Sequence, residues 1–239
     1  DKEVVLAAVK QEGSALQHAD NKFKEDKDVV LAAVKKSAGD ALQHADNKFK
    51  ADKDVVLAVV KQDAWFLKRA DDQFKADKEV VLAAVKEYGP TLKYADDKLK
   101  ADKKFVLAAV KEYGPALQYA DKKLKGNKEI VLAAIKDLSA IGDKYIAPQD
   151  RIISFLEYAN KKLKSDKKFV LAAVKKNGDA LKYVDEKFKA DKEVVLEAVR
   201  SESRILYYAD ESLKKDKKII LTALKKNGNA LDYADDSLK

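Results

Sequence analysis

The groups in this chain that could do chemistry are few in kind and recur at fixed spacing. The only imidazoles are His18 and His44. Imidazole is the usual metal ligand and general base, but no further ligands cluster in sequence around either one, as a metal site would require. Cys is absent, which removes disulfides and thiolate chemistry. Asp and Glu number 41, yet no carboxylate pair stands at an apolar strand end. No Ser/His/Asp spacing occurs, and no glycine-rich loop could cradle a phosphate. The carboxylates read as helix caps and ion-pair partners. No catalytic residue, metal or cofactor is expected, and the chain is expected not to be an enzyme.

Lysine offers a different chemistry, the binding of anions. Three rows are basic throughout: Lys2, Lys27, Lys53, Lys78, Lys103, Lys128, Lys167, Lys192 and Lys217; a second row from Lys10 to Lys225, with Arg200 in one place; and a third from Lys24 to Lys239. Such rows could form a track for nucleic acid or an anionic membrane. Several features oppose that use. The 49 Lys and Arg face 41 Asp and Glu, for a net charge of +8. Only Arg69, Arg151, Arg200 and Arg204 supply the guanidinium preferred for bidentate phosphate and base contacts. Lys10 sits near a helix C-terminus, where the dipole favours a cation. Lys24 follows Asp20 by four residues, a favourable helical pair. The Lys2 row has no such local explanation. The leading expectation is a non-catalytic protein-binding or scaffolding surface, possible self-association included; the alternative is a basic surface for nucleic acid or membrane.

Aromatic residues form a further row: Tyr94, Tyr119, Tyr158, Tyr183, Tyr208 and Tyr233, with His18, His44 and Arg69 at the same place earlier. On a helical wheel they lie about 120° from the leucines typified by Leu16. The rings either cover seams between neighbours or stand as rungs for a partner.

These rows exist because the chain is a tandem repeat. Nine copies run 1–25, 26–51, 52–76, 77–101, 102–126, 127–165 with an insertion at 137–155, 166–190, 191–215 and 216–239, making one repeat domain. The copy DKKFVLAAVKKNGDALKYVDEKFKA, from Asp166 to Ala190, displays the grammar. Asp166 is an N-cap, and the helix runs through Phe169, Val170, Leu171 and Val174. Gly178 is expected to stop it in a left-handed cap. Pro90 and Pro115 directly follow that Gly in two copies, which suits the start of a second helix. The second helix carries Leu181, Val184 and Phe188 and ends near Lys189. The first helix, with six consecutive apolar residues, has to be covered on several sides. A lone 25-residue pair cannot do this, but stacked pairs can. The expected fold is all-α, an α-solenoid of nine stacked two-helix repeats, with the Leu6 and Leu16 rows in its core.

The pattern is identified as that of a tandem helical-repeat family of unknown function with the motif DKEVVLAAVKxNGxALxYADxxLK, known in protists and some intracellular bacteria. DKEVVLAAVKQEGSALQHADNKFK and DKKIILTALKKNGNALDYADDSLK match it most closely. The resemblance implies no catalytic residues, because no chemistry is assigned to the family. Ala64-Trp65 and Ser203-Arg204 depart from it at the turn.

The sixth copy breaks the period. Its insertion is expected to lengthen both helices and expose a tip carrying Tyr145, Ile146, Asp150, Arg151, Ile152 and Phe155, candidate partner contacts. Small residues from Ala7 to Ala172, flanked by charges, are expected to floor a shallow groove. At the ends, Val5, Leu6 and Val9, and Leu231 and Leu238, lack a covering neighbour. Met is missing even at position 1, so the chain is expected to be a processed or excised piece of a longer one. Apolar runs of six residues cannot cross a membrane, no signal peptide is visible, and a soluble protein is expected, with its compartment left open.

Overall fold

In a computed structural model, residues 1–135, 156 and 158–239 are described. Among them the structure is helical throughout, with no strand. The chain is an all-α repeat array and divides into two compact units, Asp1–Tyr119 and Ala120–Lys239. Within each, successive repeats stack.

Each repeat opens on its capping residue. Asp1, Asp26, Asp52, Asp77, Asp102, Asn127, Asp166, Asp191 and Asp216 all accept first-turn amides through their side chains. Asp77 Oδ1, for example, accepts from Glu79 N at 2.9 Å and Val80 N at 3.1 Å. This satisfies donors that the helix itself leaves orphaned. The helices so started are Lys2–Gln11, Lys27–Gln43, Lys53–Val60, Lys78–Glu87 and Lys103–Glu112 in the first unit. Lys128–Ala134, Lys167–Lys176, Lys192–Ser201 and Lys217–Leu224 follow in the second.

These first helices bury one side. In the repeat beginning at Asp77, Val80, Val81, Ala84 and Val85 are at most 1% exposed. That is the i, i+1, i+4, i+5 face of a helix. Leu82 and Ala83, between them, stay half-buried. The same holds for Leu31, Leu57, Leu107, Leu132, Leu171 and Leu196. The expectation that the Leu6 row belongs to the core is therefore corrected. Six consecutive apolar residues circle the helix, and stacking covers only the four on one side. The Leu16 row is core: Leu16, Leu67, Leu92, Leu117, Leu181 and Leu206 are all 0% exposed.

The turn after the first helix also differs from expectation. No glycine among the described residues has a positive φ. The residue that ends the helix is extended instead, as at Asn177 with φ −155° and ψ 115°, and its Oδ1 accepts from Asp179 N at 2.9 Å. Glycine is needed there for closeness. A Cβ on Gly13 would lie 2.3 Å from the Ala33 carbonyl oxygen, and one on Gly178 would lie 2.6 Å from that of Ala198. Each is backbone of the next repeat. Ser37 Oγ and Ser201 Oγ, also in the next repeat, accept from Gly13 N and Gly178 N at 3.1 and 3.2 Å.

The second half of most repeats is not one helix. Gly89–Tyr94 is a 3-10 segment, Ala95 is extended, and Asp97–Ala101 is a separate short α-turn. Gly178–Tyr183 and Glu186–Lys189 repeat this around an extended Val184. The break is chemical. Asp96 Oδ1 accepts from Lys98 N at 2.8 Å, restarting a helix rather than continuing one. Its own amide leaves the repeat and donates to the Lys75 carbonyl at 2.8 Å. Asp46, Asp210 and Asp235 likewise donate to the carbonyls of Lys24, Lys189 and Lys214.

The ends behave partly as expected. Leu231 is 39% and Leu238 37% exposed, and Val5 and Leu6 are half-buried, but Val9 is fully buried in the cluster that holds Leu16 and the second repeat's valines.

Two stability outcomes follow. Leu117→Ala should cost about 2–5 kcal/mol, and Leu107→Ala clearly less, because only the former empties a sealed site; equal shifts in urea midpoint would contradict this burial pattern. The second concerns the extra residue of the second repeat, which is absorbed in a kink at Ser37 and Ala38, where Ala38 holds φ 39° and ψ −122°. Ala38→Gly should raise stability by about 1 kcal/mol by relieving that backbone; a lowered melting temperature would show that the kink is unstrained.

Candidate binding face

The face that stacking leaves open is built one helical turn at a time. In the first unit, Leu6, Leu31, Leu57, Leu82 and Leu107 each stand beside an Ala: Ala7, Ala32, Ala58, Ala83 and Ala108. Leu6, Leu31, Ala32 and Ala58 pack on the core from outside. Three residues before each Leu, on the same helix side, comes Glu3, Asp28, Asp54 or Glu79, then Lys104 in the fifth copy. Four residues after it comes Lys10, Lys35, Lys61, Lys86 or Lys111. The result is an apolar stripe between two charged margins.

The two margins differ in electrostatic state. On the acidic side, the Lys2 row, which had no local explanation, is a clasp between repeats. Lys2 Nζ reaches Asp26 at 2.7 Å and Asp28 at 3.3 Å. Lys27 reaches Asp52 at 2.9 Å and Asp54 at 2.7 Å, and Lys53 reaches Asp77 at 2.8 Å and Glu79 at 2.9 Å. Lys78 meets Asp102 at 2.5 Å. In the second unit Lys167 pairs with Asp191 and Glu193, and Lys192 with Asp216. The capping carboxylate is shared: in Asp26, Oδ1 accepts the Asp28 amide and Oδ2 the lysine of the preceding repeat. On the other margin, among the described residues, Lys10, Lys35, Lys61 and Lys111 form no ion pair. Lys86 is 3.9 Å from Glu112.

Between the first two repeats the stripe deepens into a cleft of about 370 Å³ lined by Lys10, Asp28, Leu31, Ala32, Lys35 and Lys36. This is the groove expected over the small residues. A second cleft of about 330 Å³, where Arg69 stands in the aromatic row, is lined by Leu42, Gln43, Lys50, Phe66 and Arg69 among others. Arg69 there lies over the Phe66 ring at 5.7 Å and 3.5 Å from Asp63.

In the second unit the stripe changes character. Ala gives way to Glu197, which pairs with Arg200 at 3.1 Å, and to Thr222, whose hydroxyl donates to the Lys218 carbonyl.

The third lysine row also pairs, though not as expected. Lys75, Lys100, Lys189, Lys214 and Lys239 meet Asp72, Asp97, Glu186, Glu211 and Asp236 at i,i+3. The Asp20-type residue is not their partner: Asp96 and Asp235 cap the short helix with their side chains, while Asp71 and Asp185 make no side-chain cap bond.

The tyrosines Tyr94, Tyr119, Tyr158, Tyr183, Tyr208 and Tyr233 are all half-buried. Several ring contacts bridge neighbouring repeats, while Tyr207 and Tyr208, 5.1 Å apart, meet within one repeat. Trp65 lies 5.1 Å from Tyr88 and 6.1 Å from Tyr94, centroid to centroid, and Tyr207 lies 6.1 Å from Tyr233. Lys93 sits over both Trp65 and Tyr94, and Lys182 over both Tyr183 and Tyr208. Trp65 and Tyr207 are 47% and 63% exposed and were not singled out as contact candidates. Their signal was present: each is an aromatic residue at a repeat position where other copies carry small or polar groups. The candidates Tyr145, Ile146, Asp150, Arg151, Ile152 and Phe155 lie outside the described residues, as does the insertion at 137–155. His18 and His44 belong to no group of three or more potential metal ligands among the described residues. No helix among them is long and apolar enough to cross a membrane.

The clasps titrate at both ends of the pH scale. Lys2 holds the Asp26 carboxyl below its ordinary value, and Lys78 does the same to Asp102. Hydrogen bonds to Asp26 and Asp28 raise Lys2, and those to Asp54 and Asp52 raise Lys27. A carboxyl depressed by folding stabilises above its unfolded value and loses that contribution as pH falls through the folded one. A raised lysine stabilises below its unfolded value and loses its contribution as pH rises through the folded one. Thermal stability should therefore be level through neutral pH and fall below the ordinary carboxylate value of 3.8 and above the ordinary lysine value of 10.5. Replacing Lys2, Lys27, Lys53 and Lys78 by Gln should flatten the acid limb. An unchanged acid limb in that variant would show that other carboxylates govern it.

A family model described as a domain of unknown function (DUF4116) matches the chain repeatedly, at residues 1–50, 36–75, 52–100, 77–124, 102–146, 152–189 and 191–239. No curated protein and no solved structure matches it.

Proposed function

The chain belongs to the DUF4116 family of tandem helical repeats, whose function is unknown, and on that premise we propose that it is a non-catalytic surface for binding or scaffolding other proteins. The observation that carries this reading is the stripe of half-buried leucines, Leu6, Leu31, Leu57, Leu82 and Leu107. Repeat stacking uses the neighbouring valines and leaves these leucines available. An apolar row rimmed by charge is the usual form of a protein-contact face.

The alternative, a basic surface for nucleic acid or membrane, loses most of its basis to the clasps. The Lys2 row spends its charge on carboxylates of the next repeat, and the Lys24 row on its own short helix. Of the three rows, the Lys10 row is the one whose described lysines mostly lack a carboxylate partner. Polyanion binding driven by such lysines alone should be weak and should fall steeply with salt.

The two readings separate experimentally. Capture from a nuclease-treated lysate of the source organism should retain a protein partner with the wild-type chain and lose it with Leu31→Asp/Leu82→Asp, whose folding is checked by far-UV circular dichroism. Binding to single-stranded DNA and to phosphatidylserine vesicles should vanish by about 150 mM salt. Salt-resistant DNA or vesicle binding, with no partner lost in the leucine variant, would reverse the assignment.

A further inference from the structure

The composition of the stripe and its margins specifies the chemistry of what would lie on it. We propose that the first unit, residues 1–119, binds an extended acidic segment of another protein, with apolar residues recurring at every third position and carboxylates between them. This rests on the protein-binding reading above and deepens it.

Three observations carry the inference. The apolar floor is repetitive: five consecutive Leu-Ala steps, from Leu6-Ala7 to Leu107-Ala108, each beside the next repeat. A partner lying along it meets the same contact at every rung. The charge of the margins is asymmetric. The acidic margin is engaged within the protein, since Asp28, Asp54 and Glu79 share Lys2, Lys27 and Lys53 with the capping carboxylates Asp26, Asp52 and Asp77. The opposite margin keeps Lys10, Lys35, Lys61 and Lys111 without a carboxylate among the described residues. The cleft at the first rung shows the imbalance directly: it gathers Lys10, Lys35 and Lys36 around Leu31, while its one carboxylate, Asp28, is held by Lys2. The margin whose charges are mostly without an internal partner is the cationic one, so a segment that lies along it is acidic and apolar together.

The spacing then sets the partner's period. Packed helices lie about 8–10 Å apart, and an extended segment in the polyproline II form turns once every three residues and rises about 3.1 Å per residue. Every third residue of such a segment therefore faces the stripe and meets the next rung, and five rungs accommodate about fifteen residues. The second unit makes a poorer match, because Glu197 and Thr222 interrupt its floor and Arg200, in its basic margin, is held by Glu197.

The test uses the full chain and a fluorescent peptide of about fifteen residues, with Leu at every third position and Glu and Ser between, read by anisotropy. Two controls have the same length: one of identical composition with its leucines clustered, and one with Lys for Glu. The in-register acidic peptide should bind at least about tenfold more tightly than either control. Lys10→Ser/Lys35→Ser/Lys61→Ser/Lys111→Ser and Leu31→Asp/Leu82→Asp should each weaken it by at least about tenfold, while Lys175→Ser/Lys176→Ser in the second unit should not. Equal binding of the clustered peptide would reduce the interaction to net charge and overturn the proposal. So would unchanged binding by the leucine variant, or displacement of the peptide by single-stranded DNA at equal charge concentration. Those outcomes would leave the lysate capture standing, so a wrong partner chemistry is distinguishable from a wrong function.

Discussion

A ten-residue helix with Val, Val, Ala and Val along one side has no means of covering that side from within its own repeat. The short 3-10 and α segments that follow it bring inward one Leu, one Phe or Leu and mostly small neighbours such as Ala116 and Ala120. Each repeat of this protein is thus unstable alone, and stacking is the condition on which everything else rests. Burying each valine contributes about 1.5–3 kcal/mol. The exposed clasps, by contrast, are worth about 0–1 kcal/mol each. The apolar face drives association of neighbours, and the polar contacts determine their register.

That register is held by shared groups. A single capping carboxylate divides its oxygens between its own helix and the lysine of the preceding repeat, as Asp26 does. The Asp that restarts the second half, typified by Asp96, caps with its side chain and sends its amide back to the preceding repeat. A glycine without Cβ lets the two backbones close to contact, and a serine of the next repeat accepts its amide. Each motif residue therefore serves two repeats at once. This explains why the residues recur so strictly in a chain whose outward positions vary.

The same economy frees a face. Because many lysines of the first and third rows pair within the protein and the valines form the core, the Leu-Ala stripe and its margin of cations are left open to an external molecule. The irregular copies mark where the array is individual, with a kink at Ala38, an exposed Trp65 stacked toward Tyr88, and Tyr207 against Tyr208 and Tyr233.

Much of this was legible in the residues themselves. The repeat, its all-helical character and the nine helix starts depend on local chemistry: an Asp or Asn before an apolar run caps it wherever it occurs. The Leu16 row was legible as core because Leu recurs there in every copy of a largely polar half-repeat. What depends on the neighbouring repeat was not. Periodicity tells which residues share a helix face, but not which faces a neighbour covers, so Leu6 and Val5 looked alike although only one kind lies in the sealed core. The left-handed cap expected at Gly178 was a local explanation for a residue whose actual constraint is the Ala198 carbonyl of the next repeat. The Lys2 row found no partner in sequence because its carboxylates stand about 25 residues away, one repeat on. Sequence determined the unit and its helices because those forces act within a few residues; the turn geometry, the clasps and the open face were decided only by stacking, which brings together groups that no local pattern relates.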